Sequence, residues 1–240
     1  NAGKAYYVND GSLAGDEYAT AVGDDRNDGK SPDRPMASLF GLIRAYDLDP
    51  GDVVYVDTGT HVAKRDLTLD ASDSGVRFQG PVLSDHRALV DRGGIGSGDF
   101  RSTVFEAAGA DDVTIDHVAM TGAARGVVVR SFTDSDRWTV SGSEIFAVGT
   151  GVDVTVNSDG WRIAGNRIRD LGNSGAGSIG GIRNNAAGTV IEDNEVFNAG
   201  TGISSRVESL VRGNEVYGNQ IGIDAGNGSQ TLLGATTLVI

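Results

Sequence analysis

A short polar–aliphatic unit returns through the second half of the chain. Gly142-Ser143-Glu144-Ile145, Gly165-Asn166-Arg167-Ile168, Asp193-Asn194-Glu195-Val196 and Gly213-Asn214-Glu215-Val216 share one form, at successive intervals of 23, 28 and 20 residues. Five residues before each closing aliphatic stands another: Val140, Ile163, Ile191 and Val211. After it comes a Gly–aliphatic pair: Gly151-Val152, Gly181-Ile182, Gly202-Ile203 and Gly222-Ile223. A looser copy spans 113–118 and continues to Gly126-Val127. Each copy holds three short β-type runs between polar or glycine corners, and none holds the about 10–12 residues of helical periodicity that a helix needs. A single copy cannot bury its apolar face, but stacked copies can, by laying the Val and Ile of one coil on those of the next. Unequal intervals suit such a stack, because extra residues can bulge from a corner. The pattern predicts an all-β chain wound as a right-handed parallel β-helix. Propellers and leucine-rich horseshoes fit less well, since neither a Trp-Asp dipeptide nor a leucine consensus is present. Asn166, Asn194 and Asn214 read as corner residues, because Asn tolerates left-handed φ and bonds locally at a sharp turn.

Residues 1–52 carry a different pattern and read as an N-terminal cap, with the coils occupying 53–240. From Pro35 to Tyr46, the residues Leu39, Leu42, Ile43 and Tyr46 share one face of an amphipathic helix. Pro35 is the expected starting residue, and Asp49-Pro50-Gly51-Asp52 supplies the stop. Val53-Val54-Tyr55-Val56 is the expected first strand. A helix there would cover the open apolar end of the stack. At the other end, the run from Thr231 to Ile240 reads as strand with no polar cap after it. Together with an opening Asn-Ala-Gly, this predicts a portion of a longer protein, or end-to-end association through the last coil.

Several stretches resemble the opening segment of pectate-lyase-like β-helix proteins. They are Tyr6-Tyr7-Val8, Asn27-Asp28-Gly29-Lys30-Ser31-Pro32, Pro35-Met36-Ala37-Ser38-Leu39, Pro50-Gly51-Asp52-Val53-Val54-Tyr55-Val56 and Gly59-Thr60. The resemblance is close over about the first 60 residues and is one of repeat style beyond them. It implies a secreted or cell-surface bacterial protein that contacts polysaccharide, on a fold that hosts lyases, uronate epimerases, hydrolases and surface proteins alike. In such enzymes the sheet after the short Asn corner commonly carries the sugar groove.

Composition narrows the partners. Lys+Arg 20 against Asp+Glu 33 gives a formal net charge of −13, which argues against a nucleic-acid partner. No apolar run is long enough to span a membrane. The absence of cysteine removes disulfides, thiolate metal sites and thiol catalysis. Among motif matches, Gly175-x-Gly177-x-x-Gly180 mimics a dinucleotide fingerprint without a following helix. Gly93 to Phe100 nearly matches a calcium nonapeptide, with Gly98 at the ligand position. Asp24, Asp25 and Asp28 resemble half of an EF-hand loop, with Arg26 in a ligand place, and are candidate ligands for Ca²⁺. His61, His86 and His117 have no metal-ligand spacing.

Stacking yields the remaining candidates. If the aliphatic of each Gly–aliphatic pair points inward, alternation sends the next residue outward. The first outward column is then Val128, Asp153, Arg183, Ser204, Asp224, and the second is Arg130, Thr155, Asn185, Arg206, Gly226. The glycine-rich link from Gly172 to Ser178 would wall this strip. If the strip is catalytic, Arg183 and Arg206 are candidates for base or carboxylate clamp, and Asp153 for proton acceptor or cation ligand. Arg130, Asn185 and Asp224 are the substrate-binding candidates, with Asn185 a carboxylate neutraliser. Hydrolysis by a carboxylate pair is disfavoured, because Asp153 and Asp224 would lie three coils, about 14 Å, apart. No Lys follows Lys64, and the three-aspartate calcium site of pectate lyases cannot be placed. Three readings stand: a lyase or epimerase acting on an acidic glycan, a non-catalytic carbohydrate-binding or adhesin module, and an elongated spacer.

Overall fold

The computed structural model describes residues 3–94, 101–172, 180–225, 231–233 and 237–239. The glycine-rich link from Asn173, the Ile95-to-Phe100 part of the nonapeptide-like run, and Gly226 lie outside these residues.

Three parallel sheets run the length of the molecule. The first has nine strands, from Ala5–Val8 and Val53–Val56 through Thr139–Ser141 and Arg162–Ala164 to Thr231–Leu233. The second has eight, from Gly59–Val62 to Thr237–Val239. The third has seven: Leu67–Asp70, Thr103–Ala108, Arg125–Val129, Thr150–Val154, Gly180–Asn184, Thr201–Ser205 and Ile221–Asp224. The chain visits the sheets in turn and starts again one coil further on, so every pairing is to the strand one coil away.

The registers build the interior. In the first sheet Phe78, Ile115, Val140, Ile163, Ile191 and Val211 stack. In the second, His61, Val90, Met120, Ile145, Ile168, Val196 and Val216 do so. In the third, Phe105, Val127, Val152, Ile182, Ile203 and Ile223 form the column. Val127, Val152, Ile182 and Ile203 are wholly buried. Burying each such side chain contributes about 1.5–3 kcal/mol, so the stack is held by many equal increments. The glycine ahead of each aliphatic has a steric cause. A Cβ at Gly151 would lie 2.4 Å from the Gly181 carbonyl oxygen, and one at Gly181 2.5 Å from that of Gly202.

The Asn corner differs from the expectation. Left-handed φ belongs to the residue before it, at Gly142 (+55°), Gly165 (+64°), Asp193 (+55°) and Gly213 (+65°). The Asn side chains turn inward and link coils instead. Asn166, Asn194 and Asn214 are each 1% exposed. The Oδ1 of Asn166 accepts from the backbone N–H of Ser143, that of Asn194 from Asn166, and that of Asn214 from Asn194, all at 3.0 Å. Their amides donate to the carbonyls of Val140, Ile163 and Ile191 at 2.8–2.9 Å. A side chain that spans two coils satisfies backbone groups that the corner would otherwise leave buried and unpaired. Trp138 and Trp161 stack nearby with centroids 5.3 Å apart and planes 8° apart, both fully buried.

The cap also departs from expectation in two respects. The first strand is Ala5–Val8, which pairs in parallel with Val53–Val56, so the first sheet begins inside the cap. The helix runs over Leu39–Ala45, starting at the Ser38 N-cap, whose Oγ accepts from the Gly41 N–H at 2.9 Å. Pro35 cannot start it because Met36 is held extended: its N–H donates to the Tyr7 carbonyl and its own carbonyl accepts from Asn9, both at 3.0 Å. Leu39 and Leu42 are buried, Ile43 and Tyr46 pack at the edge, and the helix lies against Leu67–Asp70, the outermost strand of the third sheet.

Candidate functional site: an arginine groove on the third sheet

Register places the outward residues of the third sheet in file. Glu106 pairs with Val128, Val128 with Asp153, Asp153 with Arg183, Arg183 with Ser204, and Ser204 with Asp224. Over part of this file the surface sinks into a cavity of about 500 Å³, lined by Arg101, Glu106, Arg125, Val128, Val129, Arg130, Ser131, Asp153, Thr155 and Arg183. Arg130, Asp153 and Arg183 thus come together in one groove.

Two carboxylates sit in the groove, and both are fully engaged. Asp153 points out from its strand yet is only 2% exposed, because the Arg183 guanidinium from the next coil lies over it. Arg183 donates from Nε to Oδ1 at 2.8 Å and from Nη2 to Oδ2. One coil row away, Arg130 donates from Nε to Glu106 Oε1 at 3.1 Å and from Nη2 to Oε2 at 2.6 Å, and Thr68 Oγ1 adds 3.0 Å to Oε2. Forked pairs of this kind fix both partners in orientation. The hydrogen bonds to Asp153 push the proton affinity of Arg183 further up, and those to Glu106 do the same for Arg130. Arg183 therefore holds its proton and suits a clamp rather than a base. Asp153 is buried beneath that guanidinium, whereas a general base must reach the substrate proton.

Arg101 and Arg125 have no carboxylate within ion-pair distance among the described residues. Among the described lining residues, four arginines against two carboxylates leave an excess of two positive charges on a chain of net charge −13. The Thr155 Oγ1 in the same wall is buried without a hydrogen-bond partner. A concave surface with an excess of guanidinium groups is suited to binding carboxylates and sugar hydroxyls.

The other sequence candidates lie elsewhere. Arg206 and Asp224 pair with each other, Nη2 to Oδ2 at 2.7 Å, further along the sheet and outside the cavity lining. Asn185 is half-buried beyond the strand end and does not line the cavity. Its neighbour Asn184 is wholly buried and bonds to Ala186, Thr189 and Ser205, a structural arrangement. The structure does not gather Asp24, Asp25 and Asp28 into one ligand set. Arg26 forks onto Asp24 and pulls its carboxyl down to about 2. Asp25 accepts from the N–H groups of Ala37 and Ser38, at 3.1 and 2.7 Å. Asp28 faces Arg34 at 3.7 Å. Arg101, Arg125 and Glu106 are not singled out by the sequence pattern. The first two precede the strand positions that alternation assigns, and the Thr103–Ala108 strand lacks the Gly–aliphatic marker.

Fold and groove together define a right-handed parallel β-helix protein with a cationic furrow on one sheet. A family model described as periplasmic copper-binding protein (NosD) matches residues 58–233, and the chain belongs to that family. No curated protein matches it. Among solved structures, a rhamnogalacturonan lyase aligns with a TM-score of 0.65 and 16% identity over 98% of this chain and 63% of its own. A pectate lyase aligns at 0.61 and 16%, over 99% and 63%. A lacto-N-biosidase from Eubacterium ramulus aligns at 0.64 and 15%, over 98% and 56%. The chain thus spans less than two thirds of the length of these structures, and the likeness is one of fold.

The family description raises the question of copper, whose usual soft and borderline donors are thiolate, thioether and imidazole. The chain has no Cys, two Met and three His. Met36 and Met120 are buried in the core. His61 is buried at the head of the second column, with Nε2 2.8 Å from the Asp57 carbonyl oxygen. His86 and His117 share a cavity of about 540 Å³ and bond through Nδ1 to Glu17 at 3.0 Å and Asp116 at 2.9 Å, but neither Met nor the third His joins them there. Among the described residues no group of three or more His, Cys, Asp or Glu is placed to hold a metal ion. These residues do not fit a copper centre.

Proposed function

We propose that the protein binds an acidic polysaccharide in the groove of the third sheet, without cleaving it. The observation that carries this reading is the imbalance inside the groove. Both carboxylates are forked by arginines, while Arg101 and Arg125 have no carboxylate partner among the described residues. Such a surface attracts carboxylate groups locally although the chain as a whole is acidic. Among the described residues it offers no exposed base for proton abstraction next to a uronate carboxylate, and no facing pair of free carboxylates for hydrolysis. Polysaccharide-acting enzymes among the solved structures of like fold agree with a glycan partner. The family description supports work in the periplasm or outside the cell, and no helix among the described residues is long and apolar enough to cross a membrane.

Titration calorimetry with oligogalacturonate and with its methyl ester tests the reading. Binding of the acid form alone, weakening as salt rises, is the expected result. Equal binding of both forms, or of neither, would overturn it. Accumulation of ultraviolet-absorbing unsaturated uronide would replace it with the lyase reading.

A further inference from the structure

At the end of the groove, one side chain sits where neither its chemistry nor its backbone favours it. Phe132 directly follows the groove residue Ser131 and is fully solvent-exposed, at 101%. Its φ is +67°. It occupies the third place of a tight turn, closed by the Thr133 N–H donating to the Arg130 carbonyl at 3.2 Å and braced by Thr133 Oγ1 to the same carbonyl at 2.8 Å. A positive φ at that place of a turn ordinarily goes to Gly or Asn. One coil further on, the corresponding place is taken by Asn157, at φ +71°. A bulky aromatic in this conformation is an outlier, and such strain collects at ligand sites. Val156, which follows the groove residue Thr155 on that next coil, is also exposed, at 60%. Lone exposed apolar residues are common on protein surfaces. Here two of them directly follow groove-lining residues on adjacent coils, and one is held there against its backbone preference.

We propose that Phe132, with Val156 beside it, is an apolar platform for a pyranose ring of the acidic glycan whose carboxylates the groove arginines hold. The proposal rests on the binding reading above and adds a ring-recognition subsite to it. The phenyl face is electronegative, and the C–H hydrogens on one face of a pyranose are weakly electropositive, so a sugar can lie flat on the ring while its carboxylate reaches toward Nη1 of Arg130, the guanidinium nitrogen that does not bond Glu106. The turn hydrogen bonds preset the backbone that carries the ring, so little backbone freedom is lost on binding.

The test compares wild type, Phe132→Gly and Phe132→Trp by calorimetry with tetragalacturonate, alongside thermal melts. Gly fits the positive φ, so Phe132→Gly is expected to melt at or above the wild-type temperature while binding the tetramer about tenfold more weakly. Phe132→Trp is expected to bind as well as wild type or better. If wild type binds the tetramer and Phe132→Gly binds it equally, the platform is overturned and the arginine groove stands. If wild type does not bind it, the groove reading falls and the platform with it. Concentration-dependent self-association that vanishes in Phe132→Gly, with sugar binding unchanged, would overturn the proposal and assign the ring to a contact between copies of the chain.

Discussion

The Asn corner and the arginine groove are both columns of polar residues built by the same stacking, and they end in opposite chemical states. In the corner, each Asn is 1% exposed and its amide is used in full: Asn194 accepts from the Asn166 backbone and donates to the Ile163 carbonyl and to Asn214. In the groove, carboxylates are consumed by arginines but the arginines outnumber them. A repeat places residues in a column whatever their use. What separates scaffold from binding surface is whether the column's donors and acceptors close on one another.

The largest test of this contrast is Asn194→Ala. It would leave the Ile163 carbonyl and the Asn166 N–H buried without partners, at about 1–3 kcal/mol each. Urea unfolding should show a loss of about 3 kcal/mol or more, with glycan affinity unchanged in the fraction still folded. A loss below about 1 kcal/mol would mean that the corner tolerates open groups and that the contrast is false.

Arg125→Ala comes next and should do the reverse. Affinity for oligogalacturonate should fall about tenfold, the loss of one charge-assisted contact. Stability should stay within about 0.5 kcal/mol, since the side chain has no ion-pair partner to strand. Asp153→Asn sharpens the boundary between the two regions. The fold should lose about 1–3 kcal/mol, since Asp153 is buried under the guanidinium, while affinity for the acidic glycan rises several-fold because Arg183 is freed. Unchanged affinity in that variant would show that Arg183 does not reach the ligand.

The smallest effect belongs to a third setting, in the turn that follows the strand Leu67–Asp70. Asp73 is a buried carboxyl whose affinity for protons is raised by burial, to about 6. A carboxyl with a raised folded-state value favours the fold while protonated in it. Its contribution is therefore full below about 4 and is lost as pH rises toward about 6. Asp73→Asn should flatten the melting temperature across that window and slightly raise it at neutral pH. An unchanged profile would mean that Asp73 is ionised in the fold.

The columns of the coils could be read from the chain because alternation and the Gly–aliphatic pairs fix both face and register, and a Gly without Cβ is demanded by the backbone of the next coil. Asp153 was legible as outward but not as buried, since its cover comes from Arg183, 30 residues along. Arg125 and Arg101 escaped because both stand ahead of the position from which alternation is counted, Arg125 opening its strand just before Gly126 and Arg101 two residues before its own. Phe132 escaped for a different reason: turn chemistry assigns positive φ to Gly or Asn, and nothing local announces a Phe held there. Pro35 misled because a favourable helix start lost to the pairing of Met36 with the first strand.

The stacked indoles of Trp138 and Trp161 have an optical consequence. They are the only tryptophans in the chain, and they lie almost face to face in the dry interior. Their transition dipoles are coupled, so the tryptophan bands of the near-ultraviolet circular dichroism report on one junction between two adjacent turns of the solenoid. A ligand seated in the furrow leaves that signal alone unless it shifts those turns, which makes the pair a built-in reference channel for distinguishing occupancy from unwinding.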